Sequence, residues 1–415
     1  MDKTKEKYIF VLLLGVVIYI SDDTILFGTN VSAGYLIFKH LVYLFVTFWL
    51  LISVNIKIFK SNGIYFLCAI VSSIIFTCLL HFDFTGGYAY QILIVFLAYL
   101  VTRFLVFESF LSLFKKYMFV LCVLSIFVFV IANYYDWMLV YFPVSENSSG
   151  MEFYNLYVGS VYKDVSETRN ASIFREPGVF MIYILLAITF ELFLAEKVSF
   201  KFLSVMFIAL FTTFSTAAFV VLFFLIAGYL LKSDAEKLKK SKIFIVVAGL
   251  VIILIFWFQP DLYTKIFSKL SSESDSFGSS IARVASVVVN LEIFASNPVF
   301  GSGLTEYGGL FEKYSILHFN EALEASGQST NSFMSVFATY GLLYGVIILY
   351  ALMRFAKKIA NRFVLQGNLF LILLLMFSSQ DMRYSLLLYM LVFYGLNTSL
   401  PTVSRFAPNK NSSLN

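Results

Sequence analysis

The run Arg169-Asn170-Ala171-Ser172-Ile173-Phe174-Arg175-Glu176-Pro177-Gly178 brings two cations, a carboxylate and a helix start into one short stretch. Proline suits the first helical turn, where its missing N–H costs nothing, so a helix is expected to begin at Pro177 with its amino end beside Arg175 and Glu176. A helix amino terminus next to a guanidinium makes a phosphate or diphosphate site. The bland alternative is an arginine anchoring a span at the membrane boundary. Glu176 either works as an acid or base, or caps the helix and pairs with an arginine. A second cluster holds Arg283 near the start of an amphipathic helical pattern, Ile281–Phe294, which ends at the Asn297-Pro298 turn. Such a helix could lie at the outer interface. The following Gly301-Ser302-Gly303 lacks the strand and third glycine of a nucleotide-binding loop, so a surface helix and turn is the expectation there. Many carboxylates are expected on the outer side, but no spacing selects an acid–base pair among them. His81 and His318 are isolated and read as solvated. Asp381 and Arg383 flank the last span and are placed to pair with one another. Lys39 and His40 fall inside a span, where charge is costly; Lys39 either snorkels to the interface or faces a polar cavity.

The elements that must position these residues are membrane helices. The chain is 60% hydrophobic and 13% charged, against roughly 25% charged in a soluble domain. Its mean hydropathy of +0.85 excludes a soluble globular protein. Continuous apolar runs of about 20 residues recur, which is the pattern of an all-α, polytopic integral membrane protein and not of a barrel. We expect twelve spans, near 8–20, 33–54, 63–81, 88–107, 117–132, 174–195, 200–213, 216–231, 243–258, 331–353, 365–379 and 383–398. The apolar block Phe200–Leu231 is divided at Thr212–Thr216, its best turn signal. One integral domain, 1–415, is expected, with a first large loop at 133–172 and a second at 259–330.

Lysine and arginine set the orientation. Twenty fall in the short connectors and tails of one side, and eight, including Lys163, Arg169, Arg175, Arg283 and Arg383, on the other. By the positive-inside rule both termini are cytoplasmic and both long loops lie outside. The net charge of +5 is therefore a topology signal and not one for nucleic acid. Lys3, Lys5 and Lys7 precede an apolar run without a small-residue cleavage site, so the first helix reads as uncleaved. Cys68 and Cys78 sit ten residues apart on one expected helix, roughly 15 Å, too far for a disulfide. No Cys/His spacing points to a metal. The unequal loops and lack of internal repeat weigh against a secondary transporter.

Four motifs occur in order: Phe174-Arg175-Glu176-Pro177-Gly178; Phe211-Thr212-Thr213-Phe214-Ser215-Thr216-Ala217; Arg283 ahead of Asn297-Pro298-Val299-Phe300-Gly301-Ser302-Gly303-Leu304; and Thr330-Asn331-Ser332-Phe333 through Tyr340-Gly341-Leu342-Leu343-Tyr344-Gly345. This succession resembles the O-antigen polymerase (Wzy) family, within the O-antigen polymerase and ligase superfamily, over roughly residues 165–350. The resemblance implies a bacterial inner-membrane glycosyltransferase with two large periplasmic loops. It would act at the periplasmic face on undecaprenyl-diphosphate-linked oligosaccharide, without metal or other cofactor, alongside membrane lipid and a polysaccharide chain-length regulator. It implies functional arginines in the two outer loops, which fall here on Arg175 or Arg169 and on Arg283. With Arg175 and Arg283, Glu176 is expected to be catalytic as the candidate base, and Arg169, Asn331 and Arg383 are expected on the substrate. Ligases of this superfamily typically carry His before the Asn of the last motif; here the residue is Thr330, which favours a polymerase. A ligase, a flippase for the same lipid-linked unit and a non-enzymatic scaffold are the alternatives.

Overall fold

A computed structural model describes residues 3–28, 32–53, 62–146, 152–162, 169–232, 277–319, 323 and 329–397. Among them are thirteen helices: α1 (Lys3–Tyr19), α2 (Ala33–Ser53), α3 (Gly63–Leu80), α4 (Gly86–Phe104), α5 (Phe107–Tyr134), α6 (Pro177–Leu194), α7 (Phe200–Thr212), α8 (Thr216–Leu231), α9 (Phe277–Ser296), α10 (Leu304–Phe319), α11 (Ser332–Ile359), α12 (Phe363–Ser378) and α13 (Leu386–Leu396). Eleven of the twelve expected spans coincide with helices; the ninth, 243–258, lies outside the described residues. Six helices, α2 to α6 and α11, are long and apolar enough to cross a membrane, and five shorter ones are also apolar. The chain is a multi-pass helical membrane protein.

Helix α6 is the axis of the bundle, with every residue from Pro177 to Phe193 buried. Phe107, Phe110, Phe114 and Phe355 meet Phe190 edge to face around it, which suits the aromatic quadrupole, and Tyr394 packs tilted on Phe107 and Phe110. Helix α11 packs on α3, α9, α12 and α13, and α13 packs on α4. Two lysines close helix ends at the side opposite the Glu176 site. The Lys232 ammonium donates to the Leu192 and Phe193 carbonyls at the end of α6, both at 3.1 Å. The Lys358 ammonium does the same for Tyr394 and Asn397 at the end of α13. Cations at carbonyl termini satisfy orphan acceptors and complement the helix dipole. Inside the same end, Glu191 accepts from Lys115 at 2.9 Å and from the Ser199 amide at 2.6 Å.

Two features depart from the expectation of helices and connectors alone. The segment after α5 forms a 3-10 turn, Asp136–Tyr141, and an antiparallel four-stranded meander: β1 (Val144–Glu146), β2 (Glu152–Asn155), β3 (Ser160–Tyr162) and β4 (Asn170–Ser172). Strands of three or four residues carry too little alternation to stand out in sequence. The second is α10, which follows the glycine turn directly and is capped from another element. The Asp83 carboxylate accepts from the Thr305 amide at 2.8 Å and the Thr305 hydroxyl at 2.7 Å.

Candidate functional site

Strand β4 leads straight into the first candidate cluster. Thr24 pairs with Phe174 as an antiparallel bridge, and the Arg175 amide donates to the Asp23 carbonyl at 3.0 Å. Pro177 takes the first position of α6, as expected. Glu176 is the N-cap residue, with the extended backbone usual there (φ −153°, ψ 149°), but its side chain makes no bond to the helix amides, so it does not cap α6. It receives a hydrogen bond from Gln380 and lies within the fields of Arg175, Arg169 and Arg283. Burial pushes its carboxyl above the ordinary value, and those three cations and Gln380 oppose the shift.

Three of the arginines are held by backbone carbonyls or a carboxylate. The Arg175 guanidinium donates to the Asp381 carbonyl. Arg169 reaches the turn between α7 and α8, donating to the Thr213 carbonyl at 3.1 Å and the Phe214 carbonyl at 3.3 Å. That turn lies where the Thr-Thr-Phe-Ser-Thr run predicts it, with Phe214 at φ 46°. Arg383 pairs with Asp381 at 2.9 Å and stacks over Tyr307 at 5.0 Å and Tyr384 at 5.6 Å. Burial works to lower its pKa, but Asp381 and the surrounding tyrosines outweigh it, so the net shift is upward and the cation is permanent. Arg283 is half-buried at the start of α9; burial lowers its pKa and Glu176 opposes that.

The amino end of α11 joins the same place. Asn331 is its N-cap, its side-chain oxygen accepting from the Phe333 and Met334 amides at 3.1 Å each. Its expected contact with substrate would have to use the remaining amide nitrogen. Ser332 holds the turn after α12, donating to the Gln380 carbonyl at 2.6 Å and accepting from the Met382 amide at 2.8 Å. Thr330 meets the Ser286 hydroxyl of α9 at 3.1 Å, and Tyr307 of α10 donates to Asn290 at 2.8 Å while meeting Ser329 at 2.7 Å. Of the six expected residues, Arg169, Arg175 and Arg283 surround Glu176, Arg383 and Arg175 meet at Asp381, and Asn331 precedes the Ser332 that binds the Gln380 carbonyl, so all six gather in one cluster at the amino ends of α6 and α11.

One part of this cluster escapes sequence reasoning. Residues Ser21–Gly28 fold in between the helices as a wedge. Asp22 accepts from the Lys39 ammonium at 2.7 Å and from the Tyr90 hydroxyl. Lys39, 1% exposed, also donates to the Phe27 carbonyl at 2.7 Å, so it neither snorkels nor lines an open cavity. Asp23 accepts from Tyr183 at 2.7 Å and Ser385 at 2.6 Å. Burial pushes the Asp23 carboxyl up, and Arg175 opposes that most. The usable signal was two adjacent carboxylates just past one apolar helix and a lysine inside the next.

The glycine motif is also corrected. Gly301, Ser302 and Gly303 are buried, not a surface turn. The Ser302 and Gly303 amides donate to the Ala338 and Thr339 carbonyls at 2.8 and 3.1 Å, and the Leu342 amide donates to the Pro298 carbonyl at 2.8 Å. Gly301 (φ 69°) and Gly341 (φ 81°) let the two backbones touch; a Cβ on either would collide with the facing main chain. His81, expected to be solvated, meets the Gly301 carbonyl at 2.8 Å, and His318 pairs with Glu292. Among the described residues no three His, Cys, Asp or Glu side chains could hold a metal ion.

Fold and site together define a multi-pass helical membrane protein with a cation-rimmed carboxylate at one end of its bundle. Residues 202–350 match the family model described as O-antigen ligase. That stretch takes in Arg283 and Asn331 and leaves out Arg169, Arg175, Glu176 and Arg383. The match supports the O-antigen polymerase and ligase superfamily, whose activity is of glycosyltransferase type on lipid-linked glycan. No curated protein matches the chain.

Proposed function

We propose that the protein is a surface-polysaccharide polymerase. It transfers a growing glycan from a polyprenyl diphosphate carrier onto the next lipid-linked repeat unit at the outer face of a bacterial inner membrane. The observation that carries this reading is the ring of Arg169, Arg175 and Arg283 around Glu176, with Arg383 bound to the Asp381 that also receives Arg175. In the reaction an acceptor hydroxyl forms a bond to the anomeric carbon of the donor glycan. The bond from that carbon to the diphosphate oxygen breaks, and the hydroxyl proton passes to Glu176. Charge develops on the diphosphate, and fixed guanidiniums stabilise it without reorganising. Arg169, Arg175 and Arg383 are preorganised, because their other contacts are to backbone carbonyls or a partner carboxylate. Glu176 is suited to accept the proton, since a carboxylate with a raised pKa is a stronger base. Thr330, bound to Ser286, stands where the resembling ligases carry histidine, which favours the polymerase over the ligase.

Arg175→Ala and Arg283→Ala should each lower chain elongation by about 10²–10³-fold, the usual loss for one donor to a developing anion, while the protein still inserts. Normal chain lengths in both variants would remove the catalytic assignment. A strain lacking the gene separates the neighbouring readings by the gel profile of its surface polysaccharide. A ladder collapsed to a single repeat unit fits the polymerase. Loss of all attached units with accumulation of lipid-linked polymer means a ligase, and an unchanged ladder returns the question to a flippase or scaffold.

A further inference from the structure

Helix α9 and the turn after it lie too deep for a water-facing loop. The turn 297–303 is bonded to Ala338, Thr339 and Leu342 of α11, which begins at Ser332. That places it beside the kink of α11 at Gly341 (φ 81°, ψ −170°), and the helical stretch before the kink, 332–340, puts it about 9–12 Å below the start of α11 at 1.5 Å per residue. Counting about 20 residues back from the charged Arg354, the hydrocarbon zone of α11 begins near Met334. The turn therefore falls inside that zone. Neighbouring α3 sets a shallower level: Thr77, which donates to the Phe300 carbonyl at 2.7 Å, is three residues before the end of α3 at Leu80, about 5 Å at 1.5 Å per residue, and the Phe76 ring lies 6.1 Å from Phe300, so the turn lies in the outer part of the hydrocarbon zone. Higher up, Phe294 meets Phe337 at 5.4 Å and Ser286 meets Thr330, so α9 descends alongside α11.

Its two faces match that descent. Ala285, Ser286, Val289, Asn290 and Ile293 are buried against the protein. Val284, Val287, Val288 and Leu291, at helical spacing, and Val299 of the turn are exposed. The surface they form continues the exposed apolar faces of two spans, Phe76 and Leu79 of α3 and Leu342, Leu343 and Val346 of α11. The backbone of the turn is sealed as membrane depth requires, where irregular main chain survives only if protein groups satisfy it. The Gly301 amide donates to Asn297, the Ser302 and Gly303 amides donate to α11, and the Phe300 and Gly301 carbonyls accept from Thr77 and His81.

We propose that α9 and the 297–303 turn form a re-entrant limb. It dips obliquely into the leaflet on the side of the Glu176 site, and the face from Val284 to Val299 contacts lipid acyl chains. This holds whatever reaction the protein performs. In a background with Cys68, Cys78 and Cys122 replaced by alanine, nitroxides at Val284→Cys, Leu291→Cys, Val299→Cys and, as a water-side control, Glu312→Cys would be read by power saturation. The protein would be in phosphatidylethanolamine and phosphatidylglycerol vesicles, with oxygen and a water-soluble nickel chelate as relaxants. The oxygen-to-nickel collision ratio should rise from 284 to 291 to 299 and be several-fold higher at 299 than at 312. A ratio at 291 and 299 equal to that at 312 would overturn the proposal in favour of a water-facing turn. Low collision with both relaxants would overturn it in favour of a partner helix or a second copy covering the face.

Discussion

Replacing Glu176 by glutamine tests the proposed chemistry most directly. The change keeps the shape of the side chain and its hydrogen bond with Gln380, and removes one charge opposite Arg175, Arg169 and Arg283. A general base typically contributes 10²–10⁴-fold, so transfer by Glu176→Gln should fall by about that factor, or about 3–5 kcal/mol in the barrier at 1.36 kcal/mol per decade. The pH profile supplies a second readout. The base must be ionised to act, and burial sets its pKa above the ordinary carboxylate value. The acid limb of the wild-type rate should therefore lie above the range of an exposed glutamate and vanish in the variant. Stability runs the other way. Because the folded chain holds this proton to higher pH than the unfolded one, the group's contribution is fully present below the ordinary carboxylate value. It is lost as pH rises through the folded value. The assay is elongation of purified lipid-linked repeat units in detergent, followed by gel over a pH series. A variant with wild-type rate and an unchanged acid limb would refute Glu176 as the base and leave it a partner for the arginines.

Two predictions concern the elements packed around the Glu176 cluster. Lys39→Met leaves the part-buried Asp22 with only the Tyr90 hydroxyl; breaking one partner of a fully buried pair costs about 3–5 kcal/mol, and this pair should lose somewhat less. The thermal midpoint in detergent should drop sharply, and adding Asp22→Asn should recover much of it; equal midpoints for Lys39→Met and wild type would show the pair to be idle. Gly301→Ala puts a side chain at φ 69° against the Thr339 backbone, a strain of about 1–3 kcal/mol before any collision. It should expose the 297–303 turn to protease, whereas Gly309→Ala, in open space, should not.

Lipid-facing helices were legible because hydropathy reports burial in hydrocarbon, and the Phe200–Leu231 division was legible because hydroxyl residues cluster only at Thr212–Thr216. The start of α6 could be read from Pro177, and the arginines could be named because charges at a span boundary are few. What escaped was whatever depends on partners distant in sequence. Asp22 and Asp23 look like an ordinary polar connector until Lys39, Tyr183 and Ser385 close around them. Gly301 and Gly341 look like loop and helix glycines until their backbones are seen in contact. The cap of α10 comes from Asp83, on the turn after α3, so no local signal announced that helix.

The bond from Ser385 to Asp23 joins positions 362 residues apart, and Arg175 sits between them, tied to Asp23 on one side and Asp381 on the other. Contacts of such separation form late, since loop closure is unfavourable until both ends are present. A chain still being synthesised thus carries its arginines but has no place to aim them. This cluster assembles only when the last two helices have inserted, so, on the function proposed above, a partly made copy cannot yet perform the transfer.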